Sequence, residues 1–121
     1  MTHAKTLDQA DLRQFTGSEH WYRHPLARKV VYTDGAQYVA EQGGAYWLID
    51  AIAFAQAIPA VAAEAFQFWT LAVRADRTAT LACEDGNGKR VHAQELSFTD
   101  FPLTEIKFYF TDNTILLPSE Y

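Results

Sequence analysis

From Phe66 onward the chain alternates with a period of two. Trp69, Leu71 and Val73 interleave with Phe68, Thr70 and Ala72, and "TATLACE" and "KRVHAQEL" flank the turn-rich "DGNG". "EIKFYFT" puts Ile106, Phe108 and Phe110 on one side, and Asp112-Asn113 turns the chain into "TILLP". Four or five short strands joined by short turns predict an antiparallel meander with one apolar face, and that face needs a cover. The main apolar cover upstream is "AYWLIDAIAFAQAI", alanine-rich and apolar nearly all round, which predicts a buried helix from about Ala45 to Ile58, interrupted by Pro59. The expected fold is α+β in two layers, an antiparallel β-sheet packed on a central apolar helix.

The first third of the chain is expected to add a short helix and a hairpin to that plan. Thr6 followed by Gln9 has the form of a capping box, predicting a helix from about Leu7 to Phe15 that Gly17 ends. Pro25 stops any helix just beyond His24, which leaves "SEHWYRHP" as a loop or a single turn. "KVVYTDGAQYVAE" has β-branched and aromatic residues on both sides of Asp34-Gly35, a dipeptide suited to a tight turn, and predicts strands at Lys29 to Thr33 and Ala36 to Ala40. With 121 residues and no repeat or linker, residues 1–121 are expected to form one domain.

Charge and composition narrow the function classes. A net charge of −5 with scattered basic residues disfavours nucleic acid as a partner. The N-terminus lacks an apolar signal region, and Asp50, Gln56 and Pro59 break the longest apolar run, so neither a membrane span nor membrane association is expected. One cysteine excludes an intramolecular disulfide and points to a reducing, cytoplasmic setting, with Cys83 read as a small buried strand residue. No nucleophile elbow, Walker loop or dinucleotide-binding glycine pattern is present, and "EDGNG" lies between strands rather than before a helix; no cofactor is expected.

Polar chemistry concentrates in "SEHWYRHP". His20 and His24 are four apart, a spacing at which two imidazoles on one helical turn share a metal, with Glu19 as a third ligand. Pro25 directly after His24 spoils that geometry, and no metal centre is assigned. Asp34 is explained by turn geometry, although a carboxylate near His20 or His24 is also the unit of many acid/base sites. Asp50, inside a largely apolar helix, must face water or find a partner, and an arginine or tyrosine of the opening loop is the expected one. Arg23 meeting Asp50, with Trp21 and Tyr22 anchoring the loop on the core, would make a structural latch. The catalytic candidates are thus His20, His24 and Asp50, and the ligand-binding candidates Trp21, Tyr22, Arg23 and Tyr46. His92 is expected to share an outward strand face with Arg90 and Gln94. Phe66, Phe68 and Trp69 are apolar on both sides of one strand, so either the region after Pro59 or a partner subunit covers the second side, which favours a homodimer. The terminal "PSEY" either frays or docks Tyr121 on the sheet.

The blocks "WYRH", "YTDG", "AYWLID", "CEDGNG", "TDFPL" and "LLPSEY" together resemble a small family of bacterial proteins of unknown function, from about Leu12 to Tyr121. The resemblance implies a soluble, single-domain protein, and its association with mobile elements implies an accessory role at most. It carries no activity, cofactor or catalytic residue onto this chain. Two functional readings therefore stand side by side. One is a non-enzymatic interaction or accessory protein that binds another protein or itself through an apolar surface and the edge of its sheet. The other is a small-ligand binder or enzyme with a pocket around His20, Arg23, His24 and Asp50.

Overall fold

The computed structural model describes residues 7–17 and 19–121. Thr6, half of the expected capping box, lies outside them. The first described helix, α1 (Gln9–Leu12), is instead capped by Asp8, whose carboxylate accepts the Ala10 N–H at 2.9 Å. Strands β1 (Trp21–Arg23) and β2 (Val31–Thr33) follow, then helices α2 (Asp34–Gln42), α3 (Tyr46–Ala55) and α4 (Pro59–Ala62). The second half of the chain supplies β3 (Phe66–Val73), β4 (Ala79–Glu84), β5 (Arg90–Leu96), β6 (Glu105–Thr111) and β7 (Thr114–Leu116), and ends in a 3₁₀ turn at Pro118–Glu120.

All the strands join one open sheet in the order β1-β2-β7-β6-β3-β4-β5. The architecture is α+β, as the alternating pattern predicts, and every pairing among β3 to β7 is antiparallel, but the expected simple meander is broken: after β5 at the edge the chain crosses back so that β6 pairs with β3 rather than with β5. The sheet as a whole is mixed, because β2 and β7 run parallel, with Val31 opposite Thr114 and Tyr32 opposite Ile115. Residues opposite one another share a face, so register sorts the side chains. Gln67, Trp69 and Leu71 of β3 lie with Leu81 and Cys83 of β4, Ile106, Phe108 and Phe110 of β6 and Ile115 of β7, and all of these are buried. The helices cover this face: Gln56, at the end of α3, exchanges reciprocal amide hydrogen bonds with Gln67 at 2.9 Å in both directions. The Trp69 indole N–H also donates to Gln67 Oε1 at 2.9 Å, so the one glutamine buried in the core is fully partnered.

The tight turn expected at Asp34-Gly35 is a helix start. A hairpin does precede α2, but it is formed one strand earlier, by β1 and β2, with Tyr22 opposite Tyr32. Thr33 then acts as N-cap, its hydroxyl oxygen accepting the Ala36 N–H at 3.2 Å, and the expected strand Ala36 to Ala40 lies inside α2 with Ala36, Val39 and Ala40 buried on one side. The cap is completed from the far end of the chain. Glu120 accepts the Thr33 hydroxyl at 2.6 Å and the Leu117 N–H at 2.9 Å through Oε1, and the Gly35 N–H at 3.1 Å through Oε2.

On the opposite side of the sheet, Phe66 and Phe68 of β3 meet Tyr109 of β6, with ring centroids 4.8 to 5.1 Å apart. Tyr121 packs edge-on against Phe66 at 5.1 Å and Tyr109 at 5.6 Å. Of the two expectations for "PSEY", docking is the one realised, and the terminus supplies part of the second-side cover that Phe66 and Phe68 require.

Candidate functional site

Helix α3 forms because "YWLIDAIAFA" is made of strong helix formers and apolar residues free of glycine and proline. It buries Leu48, Ile49, Ile52, Ala53 and Ala55. It is not buried on every side. Trp47, Asp50, Ala51 and Phe54 recur at helical spacing on its outer flank, and Phe54 is 49% exposed.

That flank stands over β5, the long edge of the sheet. Between them lies a groove of about 530 Å³ whose walls include Trp47, Asp50, Phe54 and Ile58 on the helix side and His92 and Gln94 on the strand side. Trp47 also borders a second hollow of about 240 Å³ bounded by Leu96, Phe98 and Thr99. Phe98 is 68% exposed, so each of the two hollows has an exposed aromatic side chain on its wall. On the far side of Phe54 a further hollow of about 530 Å³ reaches Arg28, Lys29, Glu64 and Asp112.

His92 lies on the inner side of β5, not on an outward face with Arg90. The β4–β5 register shifts between Cys83 and Glu84, so Cys83 opposes His92 while Glu84 opposes Arg90. His92 thereby joins the helix-covered face, edge-on to Trp69 at 6.1 Å. Gln94 shares that face; Arg90 does not.

Asp50 finds its partner in the opening loop, and that partner is His24 rather than an arginine or tyrosine. His24 Nε2 lies 2.7 Å from Asp50 Oδ1, while Nδ1 accepts the backbone N–H groups of Leu26 at 3.1 Å and Ala27 at 2.9 Å. An Nδ1 that accepts two N–H groups carries no proton, so Nε2–H is the donor to Asp50. The His24 ring is buried, with Phe54 edge-on at 5.2 Å, whereas half of the Asp50 side chain is open to solvent. Both ring nitrogens are engaged, which makes His24 a brace for the carboxylate.

The remaining candidates of "SEHWYRHP" go elsewhere. Arg23 donates to the Arg28 carbonyl, so the expected Arg23–Asp50 latch is replaced by His24–Asp50. His20 Nδ1 lies 3.6 Å from Asp34 and does not meet His24. Asp34 also accepts the Tyr22 hydroxyl at 3.1 Å and the backbone N–H groups of Glu19 at 3.2 Å and His20 at 3.3 Å. Desolvation pushes its carboxyl pKa upward, but these donors outweigh it and hold the group below the usual value. Trp21 is 59% exposed, and Tyr22 stacks on Tyr32 at 5.5 Å. Tyr46 donates to Glu41 at 2.8 Å, and burial together with that carboxylate pushes its phenol up to about 12. Cys83 is likewise pushed up to about 12, first by burial and then by Glu64, Glu84 and Asp85, which leaves it a neutral thiol. Among the described residues no group of three or more His, Cys, Asp or Glu side chains is placed to hold a metal ion, and no helix is long and apolar enough to cross a membrane.

A family model matches residues 6–121. The chain belongs to the family of unknown function DUF6876. No curated protein and no solved structure matches it. Membership of DUF6876 supplies no activity to transfer, so the functional argument rests on the groove. Its aromatic walls, Trp47 and Phe54, are absent from the sequence-based candidates, and the signal that finds them is the 47/50/51/54 spacing on a helix otherwise apolar all round. His92 was hidden by the bulge.

Proposed function

We propose that this DUF6876 chain is a protein-interaction module that receives an extended segment of a partner along the edge of its sheet. One observation carries the reading: the half-exposed Phe54, with Trp47 and Ile58, lines an apolar groove directly beside the edge strand β5. An edge strand offers main-chain donors and acceptors to an added strand, and a flanking groove takes its alternate side chains, which is how strand addition combines affinity with selectivity. The competing pocket reading has less support, because His20, Arg23 and the His24–Asp50 pair make separate contacts and both nitrogens of His24 are engaged.

Selection from a displayed library of random heptapeptides tests the proposal. Enriched peptides should lose binding when Phe54→Ala removes the aromatic wall of the groove, and should keep it when Lys107→Glu changes the opposite face of the sheet. A folded protein that enriches no peptide, or peptides indifferent to Phe54→Ala, would refute it. A second copy of the chain is the other protein the same edge can accept, and sedimentation velocity distinguishes a β5-paired dimer from a monomer that binds peptide.

A further inference from the structure

The docking groove carries a charge that is not neutralised from within. Asp50 sits one turn from both Trp47 and Phe54 on the same flank of α3, and no lysine or arginine lines this groove. Among the described residues its side-chain partner is His24, which holds Oδ1 at 2.7 Å from beneath. The donated hydrogen bond fixes the orientation of the carboxylate while half of the side chain remains open to the groove. The hollow beyond Phe54 differs, since its lining includes two cations, Arg28 and Lys29, beside two carboxylates, Glu64 and Asp112.

An oriented carboxylate flanked by two aromatic side chains has the composition of a site for an organic cation. The rings attract a cation to their faces and cover an alkyl stem, and the carboxylate takes the charged head. We propose that the segment docking along β5 is basic, with one lysine or arginine laying its stem between Trp47 and Phe54 and ending on Asp50. The net charge of −5 acts in the same direction, drawing a basic segment toward the chain as a whole. This inference rests on the docking function proposed above and adds the chemistry of the occupant.

The heptapeptide selection also reads out this inference. Enriched sequences should carry Lys or Arg at one fixed position, and their affinity should fall about three- to fivefold with Asp50→Asn, the size expected for one partly exposed ion pair. Asn is the suitable replacement because its Oδ1 still accepts the His24 Nε2–H and leaves the brace in place. Trp47→Leu, which leaves both Asp50 and His24 intact, should weaken the same peptides several-fold. Enriched peptides that lose binding with Phe54→Ala but show no basic position would overturn the cation site and leave the docking function standing. A library without binders, or a β5-paired dimer that occupies the edge, would overturn both. An independent arm uses n-butylguanidinium and n-butanol as probes in NMR titrations. Saturable shifts of the Trp47 and Phe54 resonances with the cation alone are expected, and equal responses to the two would refute the site.

Discussion

Replacing His24 by alanine should be among the most damaging single changes outside the apolar core. The ring is 1% exposed, so its removal leaves a hole under α3 and deletes the edge-on contact with Phe54. Those two losses together cost roughly 2 kcal/mol. The Ala27 N–H loses its acceptor, at about 1 kcal/mol, whereas Leu26, 75% exposed, lies where water can replace the ring nitrogen. Asp50 loses a charge-assisted donor, but its half-exposed side chain recovers much of that from solvent, so roughly 1 kcal/mol remains. The expected destabilisation is about 3 to 4 kcal/mol. Urea unfolding followed by tryptophan fluorescence reads it, and with a slope of about 2 kcal/mol per molar the midpoint should fall by roughly 1.5 to 2 M. Asp50→Asn, which keeps an acceptor for Nε2–H, should cost under about 1 kcal/mol. The reasoning fails if His24→Ala is nearly neutral, or if Asp50→Asn is as harmful as His24→Ala, since the brace would then not be a neutral imidazole donating from Nε2.

Gly35→Ala tests the C-terminal clasp. Alanine is favoured over glycine in a helix by about 1 kcal/mol, but a Cβ here would lie 2.5 Å from Glu120 Oε1 and 2.7 Å from Leu117 Cδ1, so the variant should be net destabilised by roughly 1 to 3 kcal/mol in thermal or urea unfolding. Asp34 gives a pH dependence with a definite sign. Its folded pKa is depressed, so its contribution is fully present above the unfolded value near 4 and is lost as pH falls through the folded one; Asp34→Asn should flatten the acid side of the stability curve below about pH 4 and leave its shape near neutrality unchanged. Tyr46 should be among the last phenols to ionise, and a spectrophotometric titration of Tyr46→Phe should lack one component close to pH 12.

The β-rich second half was legible because its strands bury a single face and therefore alternate. β3 and β6 follow the apolar pattern along their lengths, whereas β4 departs from it at the buried Ala82, and the return of β6 to the side of β3 is not written in any turn. Asp34-Gly35 was misread for a physical reason. The same letters that favour a tight turn also place an acidic residue and a small one in the first turn of a helix behind a threonine cap. What selects the helix includes a carboxylate 85 positions away, at Glu120, which no local window contains. The site shows the same division. That Asp50 needs a partner from the opening loop follows from its place in an apolar helix. That the partner is His24 instead of its neighbour Arg23 depends on the turn after Pro25, where two amides close on Nδ1 and aim Nε2 at the helix. His92 was assigned to the wrong face because strict alternation has no means of announcing a bulge.

The parallel pairing of β2 with β7 has a consequence for the order of assembly. β1 and β2 are made before every other strand of the sheet, yet the neighbour that joins them to the rest of it is the last strand in sequence. The cap on α2 waits even longer, for a glutamate 87 positions beyond Thr33. Contacts among β3, β4 and β5 can form during synthesis, but the β1–β2 hairpin has no sheet to join until β7 has been made. Folding should therefore end with β2 meeting β7, a single late closure that turns a partly formed sheet into a finished one. Until that moment the aromatic strands β3 and β6 lack both their C-terminal cover and their last neighbour, so this is the interval in which a nascent chain is most exposed to association with other chains.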